Sequence, residues 1–173
     1  MILSLALLAL APDPFPAPRT PTAVLQISCR QGECRWQKIQ RIERMRGGNG
    51  EVLRKLTSRA GMSVHLNGRI PARYSPRLRI EWERAPKIEY VLYSKRRPTT
   101  IFGSADSEFV VTRLGLGDMA GYEYAGGTLY MQICHNIAPS RWTERQIQKL
   151  GYGKKRGVQD RYPTLAEALA ALR

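Results

Sequence analysis

Histidine and cysteine are scarce in this chain, and their arrangement disfavours a metal site. Its 173 residues include two histidines and three cysteines. Zinc ribbons use two closely spaced pairs of ligands, and no second pair follows Cys29 and Cys34. We therefore expect neither a bound metal nor another cofactor.

Two further absences exclude common functional classes. The glycine pairs at Gly115-Leu-Gly117 and Gly126-Gly127 lack the spacing and the lysine of a nucleotide-binding loop. No apolar run approaches the ~20 residues that a membrane-spanning helix needs. We therefore predict neither a nucleotide-binding enzyme nor a transmembrane span.

The apolar run that does occur, residues 1–11, resembles an export signal. Its length fits the ~7–15 residues of a signal core, and Ala9-Leu10-Ala11 has the small-x-small form of a cleavage site. No lysine or arginine precedes it, however, and Pro12 would follow the cut. A buried N-terminal strand or helix and an uncleaved weak anchor are the alternatives. We expect export, with a periplasmic or secreted location.

Five prolines between residues 12 and 21 predict an extended tether, because proline fixes the backbone and removes a hydrogen-bond donor. The folded part is then residues 22–173, about 150 residues, which suits one domain.

Cys29 and Cys34 enclose only four residues, one of them Gly32, which permits a tight reversal. A local disulfide that pins a hairpin is therefore expected. Cys134 lies in the apolar stretch 129–134 and is expected to be a buried small hydrophobic residue.

Short segments rich in β-branched and aromatic residues predict a mainly antiparallel sheet. They are residues 23–29, 78–84, 88–93, 99–102, 108–114 and 128–134. In 78–84 apolar and charged residues alternate, and residues 85–87 suggest a reversal that pairs this strand with 88–93.

Two stretches are less regular. Residues 35–45 have apolar residues at a near-helical spacing, but the hairpin predicted at the cysteines favours a returning strand. Residues 51–66 predict one or two strands, with breaks at Ala60-Gly61 and at Asn67-Gly68.

Two helices are predicted at the C-terminal end. The first covers residues 141–150 with Ser140 as its N-cap, and the second covers 165–173 with a capping box of Thr164 and Glu167. Three leucines of the second form a stripe that packs on the parent domain: Leu165, Leu169 and Leu172. The fold class is therefore α+β.

Charge is the strongest physical signal in the folded part. The chain carries 28 basic and 14 acidic residues. Residues 30–97 hold 18 of the basic residues and 138–161 hold seven, on either side of a mildly acidic section. This distribution predicts an anionic partner, bound non-specifically: lipid head groups, an acidic polysaccharide or nucleic acid.

Three clusters concentrate the positive charge. The first consists of Arg69, Arg73 and Arg77, followed by Arg79. The second is Lys95, Arg96 and Arg97. The third is Lys154, Lys155 and Arg156, which lies among glycines beside Tyr152 and Tyr162 and suggests a mobile loop whose aromatic neighbours stack on bases or sugars.

The two histidines, His65 and His135, suggest a second class of function. One imidazole acting as base and one as acid, with cations beside them, could cleave RNA. This small secreted ribonuclease is the alternative to a non-enzymatic binding module. A cytoplasmic nucleic-acid-binding protein is a third possibility, in which residues 1–11 are buried.

Two short blocks, Cys34-Arg35-Trp36 and residues 90–98, resemble small exported bacterial proteins that have no assigned function. The resemblance implies no catalytic residue. It also implies a cysteine in relatives where this chain has Tyr93, so that Cys134 lacks a long-range disulfide partner here and is a buried free thiol.

Overall fold

The computed structural model describes residues 23–66, 69–103, 106–138 and 143–173. The strands are β1 (Val24–Arg30), β2 (Glu33–Gly48), β3 (Glu51–Val64), β4 (Glu81–Trp82), β5 (Lys87–Tyr93), β6 (Thr99–Phe102), β7 (Phe109–Arg113) and β8 (Val158–Tyr162). The helices are α1 (Tyr124–His135), α2 (Glu144–Lys149) and α3 (Leu165–Ala170). The predicted signal and tether, the Asn67-Gly68 turn and the Ser140 cap lie outside these ranges.

All eight strands form one antiparallel sheet, as the sequence predicts. Along the sheet the order is β1-β2-β3-β5-β6-β7-β8, and β4 also pairs with β3. The strands predicted at 23–29, 88–93, 99–102 and 108–114 are confirmed as β1, β5, β6 and β7. The edge strand β8 was not predicted, because its exposed sequence Val-Gln-Asp-Arg-Tyr offers no continuous apolar face.

The long hairpin of β2 and β3 dominates the sheet. Its two-residue loop, Asn49-Gly50, has positive φ at both positions (51° and 74°), which matches the right-handed twist of the strands it joins. The strand expected at 35–45 is thus confirmed. The break expected at Ala60-Gly61 is wrong, since β3 continues through both residues.

Gly61 has a packing role inside β3. A Cβ atom there would lie 2.6 Å from Cε3 of Trp82 and 2.7 Å from Cγ2 of Ile80. The glycine therefore makes room for a neighbouring side chain rather than ending the strand.

The β1–β2 hairpin carries the predicted disulfide. Cys29 and Cys34 are cross-strand neighbours with their Cα atoms 4.0 Å apart, and a bond joins their sulfurs. The intervening turn uses positive φ at Gln31 and Gly32, 50° and 82°.

The strand predicted over 78–84 is mostly wrong. Only Glu81 and Trp82 pair, and they pair with Met62 and Gly61 of β3 instead of with β5. Strand β3 is long enough to accept β4 at one end and β5, through residues 52–58, at the other.

The segment 128–134, predicted as a strand, belongs to helix α1. This helix is buried on nearly every side, so its sequence shows no amphipathic alternation that would distinguish a helix from a strand. It ends at Asn136, which has φ 55° and donates its N–H to the carbonyl of Gln132.

A buried carboxylate organises the loop that leads into α1. Glu123 is 1% exposed, and its two oxygens accept the backbone N–H groups of Gly115 at 2.6 Å and Ala120 at 2.8 Å. Gly157 packs directly against this carboxylate, where a Cβ atom would lie 1.8 Å from Oε1.

The C-terminal helices are short. The Thr143 hydroxyl caps α2 by accepting the Gln146 N–H, and the Thr164 hydroxyl caps α3 by accepting the Glu167 N–H. Residue Gly151 follows α2 in a left-handed conformation, with φ 84°.

The sheet is covered on both faces. Helix α1, with Ile147 of α2, packs on the face that carries Val52, Leu56 and Val91. Helix α3 packs on the opposite face. That face carries Leu53, Tyr90, Leu92, Ile101 and Val111, and the predicted leucine stripe of α3 lies against it. Alternating residues of β3 and β5 therefore serve two separate layers of core.

Candidate functional site

Residues 69–84, here called the arginine segment, form an exposed concentration of positive charge. All five of its arginines are exposed: Arg69, Arg73, Arg77, Arg79 and Arg84. The segment is fixed to the sheet by Gln26, whose amide donates to the Pro71 carbonyl at 2.7 Å, and by Tyr74, whose ring meets Trp36 edge-on at 6.4 Å between centroids. The backbone is anchored while the guanidinium groups face solvent.

The charges of this segment are mostly not neutralised within the protein. Among the described residues, no ion pair involves Arg73, Arg77, Arg79 or Arg84. Of the two acidic residues in the segment, Glu83 is already paired with Lys87 at 3.0 Å. A group of arginines without carboxylate partners can bind external phosphate, sulfate or carboxylate groups.

The second predicted cluster is largely engaged internally. Arg97 forms a two-pronged ion pair with Glu51, at 2.9 and 2.8 Å, and donates a third bond to the Arg173 carbonyl. This pairing lowers the pKa of Glu51 and raises that of Arg97. Lys95 donates to the Leu150 carbonyl and lies 4.7 Å from the centroid of the Tyr152 ring. Only Arg96 of this cluster has an exposed side chain without a described bond.

The third cluster is also less available than its sequence suggests. Lys154 pairs with Glu144 at 2.8 Å. The backbone of residues 154–156 packs closely against Gly115, where a Cβ atom would lie 2.2 Å from the Lys155 carbonyl oxygen. Tyr152, expected to stack on bases, is buried at 4% exposure, so that interpretation is wrong. The exposed cations that remain are Lys155 and Arg156.

Tyr152 belongs to a buried polar network on the α1 side of the sheet. Its hydroxyl lies 3.0 Å from the Tyr130 hydroxyl and 2.8 Å from Nε2 of His135. The Tyr130 hydroxyl in turn donates to the Ser94 carbonyl at 3.2 Å. Burial, with the Lys95 charge nearby, lowers the pKa of His135 from 6.5 to about 4. The imidazole is therefore neutral at physiological pH.

We predict that the folded protein loses stability as the pH falls from 6.5 towards 4. In that window the unfolded chain binds a proton at His135 that the folded protein does not, so the free energy of unfolding decreases. The expected loss is about 1–2 kcal/mol, below the full linkage value because solvent screens the half-buried ring. Urea unfolding at the two pH values measures it.

The control is His135→Phe, which keeps a ring in place and cannot titrate. Its loss of stability between the two pH values should be smaller than that of the original chain. An NMR titration gives the direct readout, with the His135 midpoint near 4. A midpoint at the ordinary value would contradict the network described above.

His65 lies in a different environment. Its Nε2 is 2.9 Å from the Ser63 hydroxyl, which accepts the indole N–H of Trp36 at 2.7 Å. His65 follows the C-terminal end of β3. His135 lies in the last turn of α1, where the Ile133 carbonyl accepts a hydrogen bond from Arg54, near the other end of β3. Ten residues of β3, 55–64, lie between Arg54 and His65. No described contact joins the histidines, and the ribonuclease hypothesis stays a prediction that this arrangement does not favour.

The remaining cysteine has the expected environment. Cys134 is fully buried in the α1 core and is not disulfide-bonded. Tyr93, the position at which the resemblance implies a cysteine, belongs to the same core cluster.

A cleft that was not predicted is lined in part by residues 81–83 of the arginine segment. It has a volume of about 570 Å³ between strands β1 to β6 and the first turns of α1. At its floor, Glu89 Oε2 accepts hydrogen bonds from the Gln37 amide and, at 3.3 Å, from the Ser58 hydroxyl. All three side chains are buried, and burial raises the pKa of Glu89.

The sequence does contain a signal for this cleft. In β5, Glu89 alternates with Val91 and Tyr93, which both face the α1 core. A carboxylate at a core-facing position of a strand is uncommon unless it is paired or functional. The partners Gln37 and Ser58 come from distant strands, so the sequence alone does not bring them together.

The comparisons with known proteins add no relative. No protein-family model matches this chain, and no match was found among curated proteins or solved structures. Within the described ranges, no helix is long and apolar enough to cross a bilayer, and no three His, Cys, Asp or Glu side chains are grouped to hold a metal ion.

Proposed function

We propose that this protein is an exported, non-enzymatic binding module that holds an anionic partner on its arginine segment. The partner's chemistry is a dense series of phosphate, sulfate or carboxylate groups, as on lipid head groups, an acidic polysaccharide or a nucleic acid. Arginine suits all of these, because its planar fork makes paired hydrogen bonds to an oxyanion.

The observation that carries the proposal is the difference among the three basic clusters. Arg97 and Lys154 are paired with carboxylates of the protein itself. Arg73, Arg77 and Arg79 have no such partner among the described residues and stand on an anchored backbone. An anion that approaches the protein meets positive charge there that the described carboxylates do not neutralise.

Export is part of the proposal. The Cys29–Cys34 disulfide is compatible with an oxidising compartment, where such bonds persist. The apolar residues 1–11 and the proline-rich tether supply the other support. The two C-terminal helices, α2 and α3, act in this proposal as covers for the two faces of the sheet.

The test is the salt dependence of binding to a defined polyanion. Fluorescence anisotropy of the full chain with labelled polyuridylate, and with labelled heparin, should show binding at about 50 mM salt. The binding should weaken steeply at about 200 mM salt, because each phosphate contact releases condensed counterions.

A logarithmic slope of about −3 on polyuridylate is expected if about four arginines make contacts, at roughly −0.7 per contact for a single strand. Absence of binding at low salt would contradict the proposal, and so would an affinity that does not change with salt.

A further inference from the structure

The cleft above Glu89 differs in charge from the rest of the protein. The chain as a whole carries a net charge of +14. The charged residues that line the cleft are Arg35, Glu81, Glu83, Lys87 and Glu89, so acidic groups outnumber basic ones there. Because Glu83 pairs with Lys87, the remaining balance is two carboxyl groups against one guanidinium.

One nearby cation acts on Glu89: the Lys87 charge lowers its pKa, against the larger effect of burial, which raises it. Both described hydrogen bonds to its carboxyl group come from neutral donors, the amide of Gln37 and the hydroxyl of Ser58. No ion pair of the described residues involves it. A buried carboxylate without a counter-ion is costly, and a ligand that brings a positive charge would remove that cost.

Part of the cleft wall is apolar. It is lined by Ile27 of β1, Phe102 of β6, and Ala125 and Leu129 of α1. This wall can hold a hydrocarbon chain, while the floor can hold a polar head group. A ligand that matches both has a cationic end on a short aliphatic stem.

We propose that this cleft is a binding site for a primary ammonium group carried on a short aliphatic chain. The ammonium contacts Glu89 at the floor, Gln37 and Ser58 keep the carboxyl group oriented, and the methylene groups lie against Phe102 and Leu129. The chemistry is that of a free alkylamine or of a lysine side chain presented by another molecule.

The test compares ligands of equal length and different charge. Titration of the full chain with n-pentylamine, n-pentanol and n-pentanoate, followed by NMR of the amides of β2, β3 and β5, should show saturable shifts with the amine. The alcohol and the acid should bind at least about tenfold more weakly, because neither supplies a positive charge for the buried carboxylate.

The decisive variant is Glu89→Gln, which keeps the shape of the side chain and removes its charge. Its affinity for n-pentylamine should fall at least about tenfold. The matched control is Glu108→Gln, an exposed carboxyl group that does not line the cleft, which should leave the affinity unchanged. If Glu89→Gln bound the amine as well as the original chain, or if n-pentanol bound equally well, the inference would be overturned.

Two further readouts make the result unambiguous. The amine should raise the thermal unfolding midpoint of the original chain and not that of Glu89→Gln, which separates ligand binding from a folding defect. Nα-acetyl-lysine amide, which keeps its side-chain ammonium group, distinguishes the two sources. If it binds as tightly as n-pentylamine, the source is a lysine side chain, and if it binds more weakly, the source is a free amine. Binding to polyanions should be the same in Glu89→Gln, so the cleft and the arginine segment are tested independently.

Discussion

Replacing Glu123 with alanine is expected to lower the free energy of unfolding by about 3 kcal/mol, the largest single-residue effect on stability that we predict. Its carboxylate accepts the N–H groups of Gly115 and Ala120 in the loop that leads into α1. The N–H of Gly115 is buried and would lose its partner, and the deleted side chain would leave a cavity beside Gly157.

The control for this prediction is Glu108→Ala. That carboxyl group is exposed, and the one ion pair it forms with a described residue is long, 3.4 Å to Arg161. Its removal should change stability by less than about 0.5 kcal/mol. Urea unfolding followed by circular dichroism measures both variants. A loss of less than about 1 kcal/mol in Glu123→Ala would show that this carboxylate does not hold the loop.

Neutralising the arginine segment is expected to weaken polyanion binding about 30-fold at low salt. The variant Arg73→Gln, Arg77→Gln, Arg79→Gln removes three exposed guanidinium groups that have no ion-pair partner among the described residues. If each of the three contacts a phosphate, the slope of log affinity against log salt should become shallower by about 2. Fluorescence anisotropy with labelled polyuridylate measures both quantities.

A matched triple variant separates a local surface from the overall charge. Lys154→Gln, Lys155→Gln, Arg156→Gln removes the same net charge, and one of its three cations is already paired with Glu144. We expect it to weaken binding by less than about fivefold, because it changes the long-range field and few direct contacts. Equal losses in the two triple variants would mean that net charge alone governs binding.

Much of the sheet could be predicted from sequence because its strands carry local signals. The segments 88–93 and 99–102 are short, apolar and β-branched, and the Cys29–Cys34 spacing identifies a hairpin. These features depend on neighbouring residues, which a sequence displays directly.

The errors fall where burial or long-range pairing decides the structure. Helix α1 is buried on nearly every side, so the periodic contrast that identifies a helix is missing from 128–134. Gly61 indicates a break when read locally, but in the sheet it makes space for Trp82. The segment 78–84 alternates cleanly, yet only Glu81 and Trp82 pair, and they pair with β3, because pairing depends on the partner strand.

The candidate sites show the same division. The basic clusters are visible in sequence, but which of them are neutralised depends on carboxylates far along the chain, such as Glu51 for Arg97. The cleft required Gln37, Ser58 and Glu89 to come together from three strands. Position in the fold, more than residue type, decides which charges remain available for a partner.

The most direct test of the proposed function is an NMR titration of the isotope-labelled full chain with a short polyuridylate at low salt. The amide shifts should concentrate in the arginine segment and be strongly reduced in the variant Arg73→Gln, Arg77→Gln, Arg79→Gln. Residues 154–156 should respond weakly. Shifts centred on 154–156, or spread evenly over every exposed basic residue, would contradict the assignment of the binding surface to residues 69–84.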